Sequence, residues 1–212
     1  MADQHSQRSA VDWLELAAVL LLAVTAIMTA WTGFQSSKWS GAMSISFAQA
    51  STARIEAARL EGVANRKQTI QVSLFTQWLQ AYQAQDPQLT DFLEQRFPEP
   101  LASAFPVWLA EHPLKNPKAA PTPFQLDEYA IPELKQSDGA DARADAKYQE
   151  ALRNNQRGDN YTILTIAFAS VLFFTALATR MRHPRTQWVL LAIAAVGFVA
   201  TSAFLASFPK LV

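Results

Sequence analysis

The side chains that could do chemistry are few and scattered. His5, His112 and His183 are the only three histidines, and none has a second ligand at helical or hairpin spacing, which a metal site needs. The absence of cysteine excludes disulfides, thiolate metal sites and cysteine nucleophiles. The sequence holds no glycine-rich phosphate loop, no Gly-x-Ser-x-Gly elbow and no clustered acid pair. These features lead us to expect a protein that is not an enzyme and carries no metal or cofactor. With 18 basic against 18 acidic side chains, the balanced charge also argues against a nucleic-acid partner.

The remaining polar candidates are structural. Arg54 interrupts a stripe of small residues, which allows a buried charge that sets helix register against Asp141 or Asp145. The commoner reading of such residues is a solvated face, where pairs such as Glu56–Arg59 contribute only a few tenths of a kcal/mol. A doublet, Trp31-Thr32-Gly33 and Trp39-Ser40-Gly41, fits close helix packing, with glycine admitting a neighbour and tryptophan filling the gap. An interfacial aromatic belt explains the tryptophans equally well.

Three uncharged apolar runs must position these groups: Leu16–Phe34, Tyr161–Thr179 and Gln187–Phe208. Each is long enough to cross a hydrocarbon core of about 30 Å as a helix. The first reads as a retained anchor, because its basic n-region is too weak for a signal peptide. The three uncharged runs hold threonine and serine but no acidic or basic side chain, which disfavours ion-coupled transport. Gly197, with Ala200, Thr201 and Ala203, forms a small-residue strip suited to close packing. Arg180, Arg182 and Arg185 load the short connection between the last two runs and predict that it stays cytoplasmic. The expected order is a cytoplasmic tail (1–12), span 1 (13–34), an extracytoplasmic region, span 2 (161–179), a basic loop (180–186), span 3 (187–208) and a short tail (209–212).

The extracytoplasmic region divides by composition. Residues 35–97 read as a long helix, about 75 Å if unbroken to Gln85, followed by a short one. Gly62 is the place where that helix would break if it breaks at all, and Asp86-Pro87 the cap and first position of the short helix, which should bury Leu89, Phe92 and Leu93. Eight of the chain's 11 prolines fall in 98–132, which predicts a cap with one short helix near Ala102–Glu111. Leu114, Phe124, Leu126, Tyr129 and Ile131 should anchor the extended remainder; a disordered linker is the rival, but linkers are poor in such residues. Residues 133–160 should return as a helix opened by Ser137-Asp138-Gly139, with Gly158 as a joint. The expected fold is therefore an all-α membrane protein with three transmembrane helices. Between spans 1 and 2 stand an extramembrane antiparallel helical hairpin and a proline-rich cap.

Trp31-Thr32-Gly33-Phe34-Gln35 with Lys38-Trp39-Ser40-Gly41 resembles the Trp-Ser-Gly-Tyr-Gln…Trp-Ser-Gly pattern of an uncharacterised family of bacterial multi-pass membrane proteins. Gln77-Trp78-Leu79-Gln80-Ala81-Tyr82, Arg96-Phe97-Pro98, His112-Pro113-Leu114-Lys115-Asn116-Pro117 and Asp159-Asn160-Tyr161 extend the likeness over most of the chain. The resemblance implies a bacterial inner membrane but no activity.

Two non-enzymatic classes follow. One is an oligomeric scaffold or accessory subunit docking a protein partner through Pro117, Pro121, Pro123, Phe124 and Tyr129, since extended proline-rich chain loses little entropy on binding. The other is a homo-oligomeric passive pore, or a sensor module whose output a partner supplies. Self-association through Trp31, Gly33, Gly41 and Gly197 suits either class.

Overall fold

The computed structural model describes residues 2–113 and 115–211, with side chains from Trp13 onward. Leu114, expected to anchor the cap, lies outside the described residues. Five helices follow in order: α1 (Ala2–Gln83), α2 (Pro87–Glu94), α3 (Leu101–Ala110), α4 (Pro132–Arg180) and α5 (Pro184–Ser207), with a 3₁₀ turn at Pro123–Gln125 and no strand among the described residues. Contacts divide the chain into two compact units, one of residues up to Ala48 together with those from Lys147, the other Gln49–Ala146. Both α1 and α4 continue through the two units.

In the first unit, segments of α1, α4 and α5 are each long and apolar enough to cross a membrane. The chain itself buries only 17, 28 and 22% of their most apolar windows, so most of that apolar surface faces outward. Burial follows steps of three, four and seven residues. In α1 it takes Leu14, Ala18, Thr25, Thr32, Gln35 and Trp39; in α4, Ala151, Asn154, Gly158, Tyr161, Leu164, Phe168, Val171, Thr175 and Ala178. Alternating steps of this kind average close to 3.5 residues, the period of helices packed along a continuous seam. Two apolar clusters fill the unit, one around Trp39, Tyr161, Phe168 and Leu205, the other around Leu14, Ala18, Ala178 and Leu191.

In the second unit α1 buries Ala50, Ala57 and Ala64 at seven-residue spacing, and α4 buries Ala140 and Ala144. The cross-links pair rising numbers in α1 with falling numbers in α4: Arg54 with Asp145 and Asp141, Ala57 with Ser137, and Lys67 with Glu133. The two helices therefore run antiparallel here, seated on alanine, which lets backbones approach closely.

Several sequence expectations need correction. α1 does not break at Gly62. The alanines on either side of it are buried, and that packing outweighs the roughly 1 kcal/mol that glycine costs a helix. α4 opens at Pro132, not at Ser137-Asp138-Gly139, since proline suits the first helical turn. Ser137 is buried mid-helix and donates to the Ala57 carbonyl at 3.0 Å. Gly158 is no joint, because α4 passes through it as regular helix. In α2, Asp86 caps Leu89 N–H at 3.0 Å and Pro87 takes the first position. That helix ends at Glu94 and buries Leu93 alone, while Leu89 and Phe92 stay exposed.

Candidate functional site

The polar groups of the first unit converge where α1, α4 and the tail after α5 meet. Ser36 and Thr162 hydroxyls lie 2.9 Å apart, and the Thr165 hydroxyl donates to that of Thr32 at 2.9 Å. Beside them Gly158 faces α1. A Cβ built there would stand 3.5 Å from Ser40 Oγ, 3.6 Å from the Ser36 carbonyl oxygen and 3.7 Å from Trp39 Cβ. This, not Gly33 or Gly41, is the close helix approach. A Cβ at either of those two would meet nothing within 4 Å, so the doublet's glycines are not used for packing within the chain.

Gln35 completes the arrangement. Its side chain is fully buried, its Nε2 donates to the Leu211 carbonyl at 3.1 Å, and its Oε1 accepts the Leu211 N–H at 3.0 Å. The amide thus treats Leu211 as one strand treats another, satisfying both ends of an otherwise costly buried group. Tyr161 adds a bond from its hydroxyl to the Pro209 carbonyl at 3.0 Å. Gln35 stood in the sequence only as part of a motif. The available signal was a lone amide directly after an uncharged run.

Other expected interface residues are placed as follows. Trp39 is buried with its indole N–H unpartnered and the Arg157 guanidinium 4.6 Å above its ring, whereas Trp31 is exposed and tilted against Phe34. At Gly197 a Cβ would come within 3.3 Å of Val171 Cγ2, so that glycine serves contact between α5 and α4. Arg180 is the last residue of α4, Arg182 lies in the connection, and Arg185 sits in the first turn of α5; all three are exposed.

In the second unit, Arg54 is not a buried charge. It reaches Asp141 at 2.8 Å and Asp145 at 2.7 Å with 55% of its side chain exposed. These two carboxylates hold the guanidinium's pKa above its ordinary value. Lys67 and Glu133 form a second ion pair that lowers the Glu133 pKa below the usual carboxylate range, and Arg143 reaches Glu56 at 3.0 Å.

Residues 98–132 fold onto an aromatic core. Trp78 and Phe105 ring centres lie 4.7 Å apart, Phe97 and Phe105 5.0 Å, and Phe75 and Trp108 5.2 Å. Edge-to-face geometry of this kind adds about 0.5–1.5 kcal/mol per pair beyond burial. Phe124 packs on Phe75 at 5.5 Å and on Tyr129 at 4.9 Å. The Trp108 indole N–H donates to the Ala120 carbonyl at 2.8 Å, and Gln71 Nε2 donates to that of Glu99 at 2.9 Å. Of the five expected docking residues, Pro123 is buried, Phe124 and Tyr129 are half-buried within this core, and Pro117 and Pro121 alone are exposed. Burial raises the Tyr129 pKa above its ordinary value, and the hydroxyl has no partner.

Among the described residues no group of three His, Asp or Glu side chains could hold a metal ion. No family model matches the chain, and no curated protein or solved structure is similar to it.

Proposed function

We propose that the chain is an accessory or scaffold subunit anchored by three transmembrane helices, which presents its second unit to a protein partner. In this reading residues 35–160 lie outside the cytoplasm, on the periplasmic side of a bacterial inner membrane. They form an antiparallel hairpin closed by the proline-rich cap. The observation that carries it is the aromatic core under residues 98–132: a segment rich in proline is held in one conformation by Phe75, Trp78, Phe105 and Trp108. Ordering such a segment costs entropy at every residue, and a fixed surface repays that by lowering the cost of binding. With Phe124 and Tyr129 committed inward, the docking edge is the exposed turn around Pro117 and Pro121.

The pore reading gains less support. Thr29, Thr175 and Thr201 donate back to carbonyls four residues earlier, and Thr32 and Thr165 bond to each other. Hydroxyls engaged in this way need no water-filled passage.

The test is gentle purification from native membranes, with a photo-crosslinking residue at Pro121. A protein crosslinked there, and lost when 117–120 is replaced by Gly/Ser with the crosslinking residue kept at 121, is the expected outcome. A partner-free symmetric ring that conducts ions in a planar bilayer overturns the reading and promotes the pore.

A further inference from the structure

Close to the C-terminal end of α5 a groove of about 480 Å³ opens between that helix and α1. Ile27, Met28 and Trp31 line one side, Ser202, Leu205 and Ala206 the other, and Lys210 stands in its lining from the tail. Its walls are apolar apart from Ser202, whose hydroxyl has no partner, and Lys210. Lys210 is placed by its neighbours: the Pro209 carbonyl is held by Tyr161, and both polar backbone atoms of Leu211 are held by Gln35. Among the described residues its ammonium takes part in no ion pair.

We propose that this groove is a binding site for an anionic glycerophospholipid, one acyl chain lying along Ile27, Met28 and Leu205 and the phosphate meeting Lys210. The inference rests on the reading that these helices cross a bilayer, but not on partner docking. Charge complementarity selects the occupant. A cation that forms no ion pair among the described residues, at the end of an apolar groove, matches a ligand with a hydrocarbon tail and an anionic head. A zwitterionic lipid brings its own ammonium and gains less. A helix from a second copy would need an acidic side chain opposite Lys210; the uncharged runs carry none, and Asp159, exposed on α4 just before Tyr161, already accepts from Asn155.

The experiment uses the full chain in nanodiscs made from equal parts phosphatidylglycerol and phosphatidylcholine, followed by native mass spectrometry of the lipids that stay bound. Phosphatidylglycerol should be enriched about fivefold over the disc, the preference that roughly 1 kcal/mol per basic residue provides. Lys210→Gln should return the ratio to that of the disc, and Ala206→Phe, which fills the groove, should cut the number of retained lipids of both kinds. Retained lipid in the disc's own ratio, or enrichment unchanged by Lys210→Gln, overturns the proposal. So does a dimer that retains no lipid. Failure to enter the discs at all refutes the membrane reading and the proposal with it, while partner docking by the second unit has its own crosslinking test.

Discussion

A primary amide inside an apolar helix bundle is costly unless both its ends are bonded, and Gln35 meets that condition with a single partner residue. Gln35→Leu should therefore remove two hydrogen bonds and leave the Leu211 amide and carbonyl to find others. The expected loss is about 1–3 kcal/mol, read by steric-trap unfolding in detergent. Tyr161→Phe removes one bond to the Pro209 carbonyl and should cost about 1 kcal/mol. Tyr129 behaves oppositely. Its hydroxyl is buried without a partner, so Tyr129→Phe sheds a desolvation cost and should leave the melting temperature unchanged or raised. A drop of several degrees would mean that the hydroxyl has a partner the fold depends on.

The helices themselves show what the sequence made legible. Three apolar runs, the proline cluster and the Asp86-Pro87 start were readable because each is a local signal. The partners of Arg54 were also within reach, and so was its exposure, since a charged stretch on a helix is more often a solvated face. The buried alternative fails because α4 leaves that face open. Which glycine packs within the chain also depends on the face a neighbour covers, and Gly197 was legible as such a site while the doublet was not. Gly33 and Gly41 sit beside tryptophans and look like packing sites, yet it is Gly158 and Gly197 that face a neighbouring helix. Gly158→Leu should force α1 and α4 apart and destabilise the bundle by about 1–3 kcal/mol, as overpacking does. Gly158→Ala keeps its Cβ at ordinary contact distances and gains helix propensity, so it should be neutral or stabilising. Gly33→Leu and Gly41→Leu should leave the monomer's stability unchanged. If they instead lower the oligomer's mass in detergent, the doublet serves contact between copies.

In the second unit, α1 and α4 are also tied by charge. Lys67 depresses the Glu133 pKa, so the pair adds stability above the unfolded carboxyl value of 4.5 and loses it as pH falls through the lower folded value. Glu133→Gln should lower the melting temperature at pH 7, and the difference from the parent chain should vanish in acid. A difference that persists at low pH would assign the effect to packing.

At the scale of the whole molecule, the sidedness of the three spans sets which compartment meets the second unit. Arg180, Arg182 and Arg185 crowd the turn between α4 and α5, exposed and without acidic partners among the described residues. Basic residues in so short a connection resist export, so the orientation we propose has that turn and the N-terminal tail in the cytoplasm and Gln49–Ala146 outside. Because the chain lacks cysteine, single cysteines report position without background. Ser103 is exposed on α3 and suits the cap side, whereas Ser137 is buried against Ala57 and would mislead. An impermeant thiol reagent applied to intact cells should label Ser103→Cys at once and Ser6→Cys or His183→Cys only after lysis. The reverse pattern would turn the protein over. Docking would then face the cytoplasm, and the arginines would lie on the far side of the membrane.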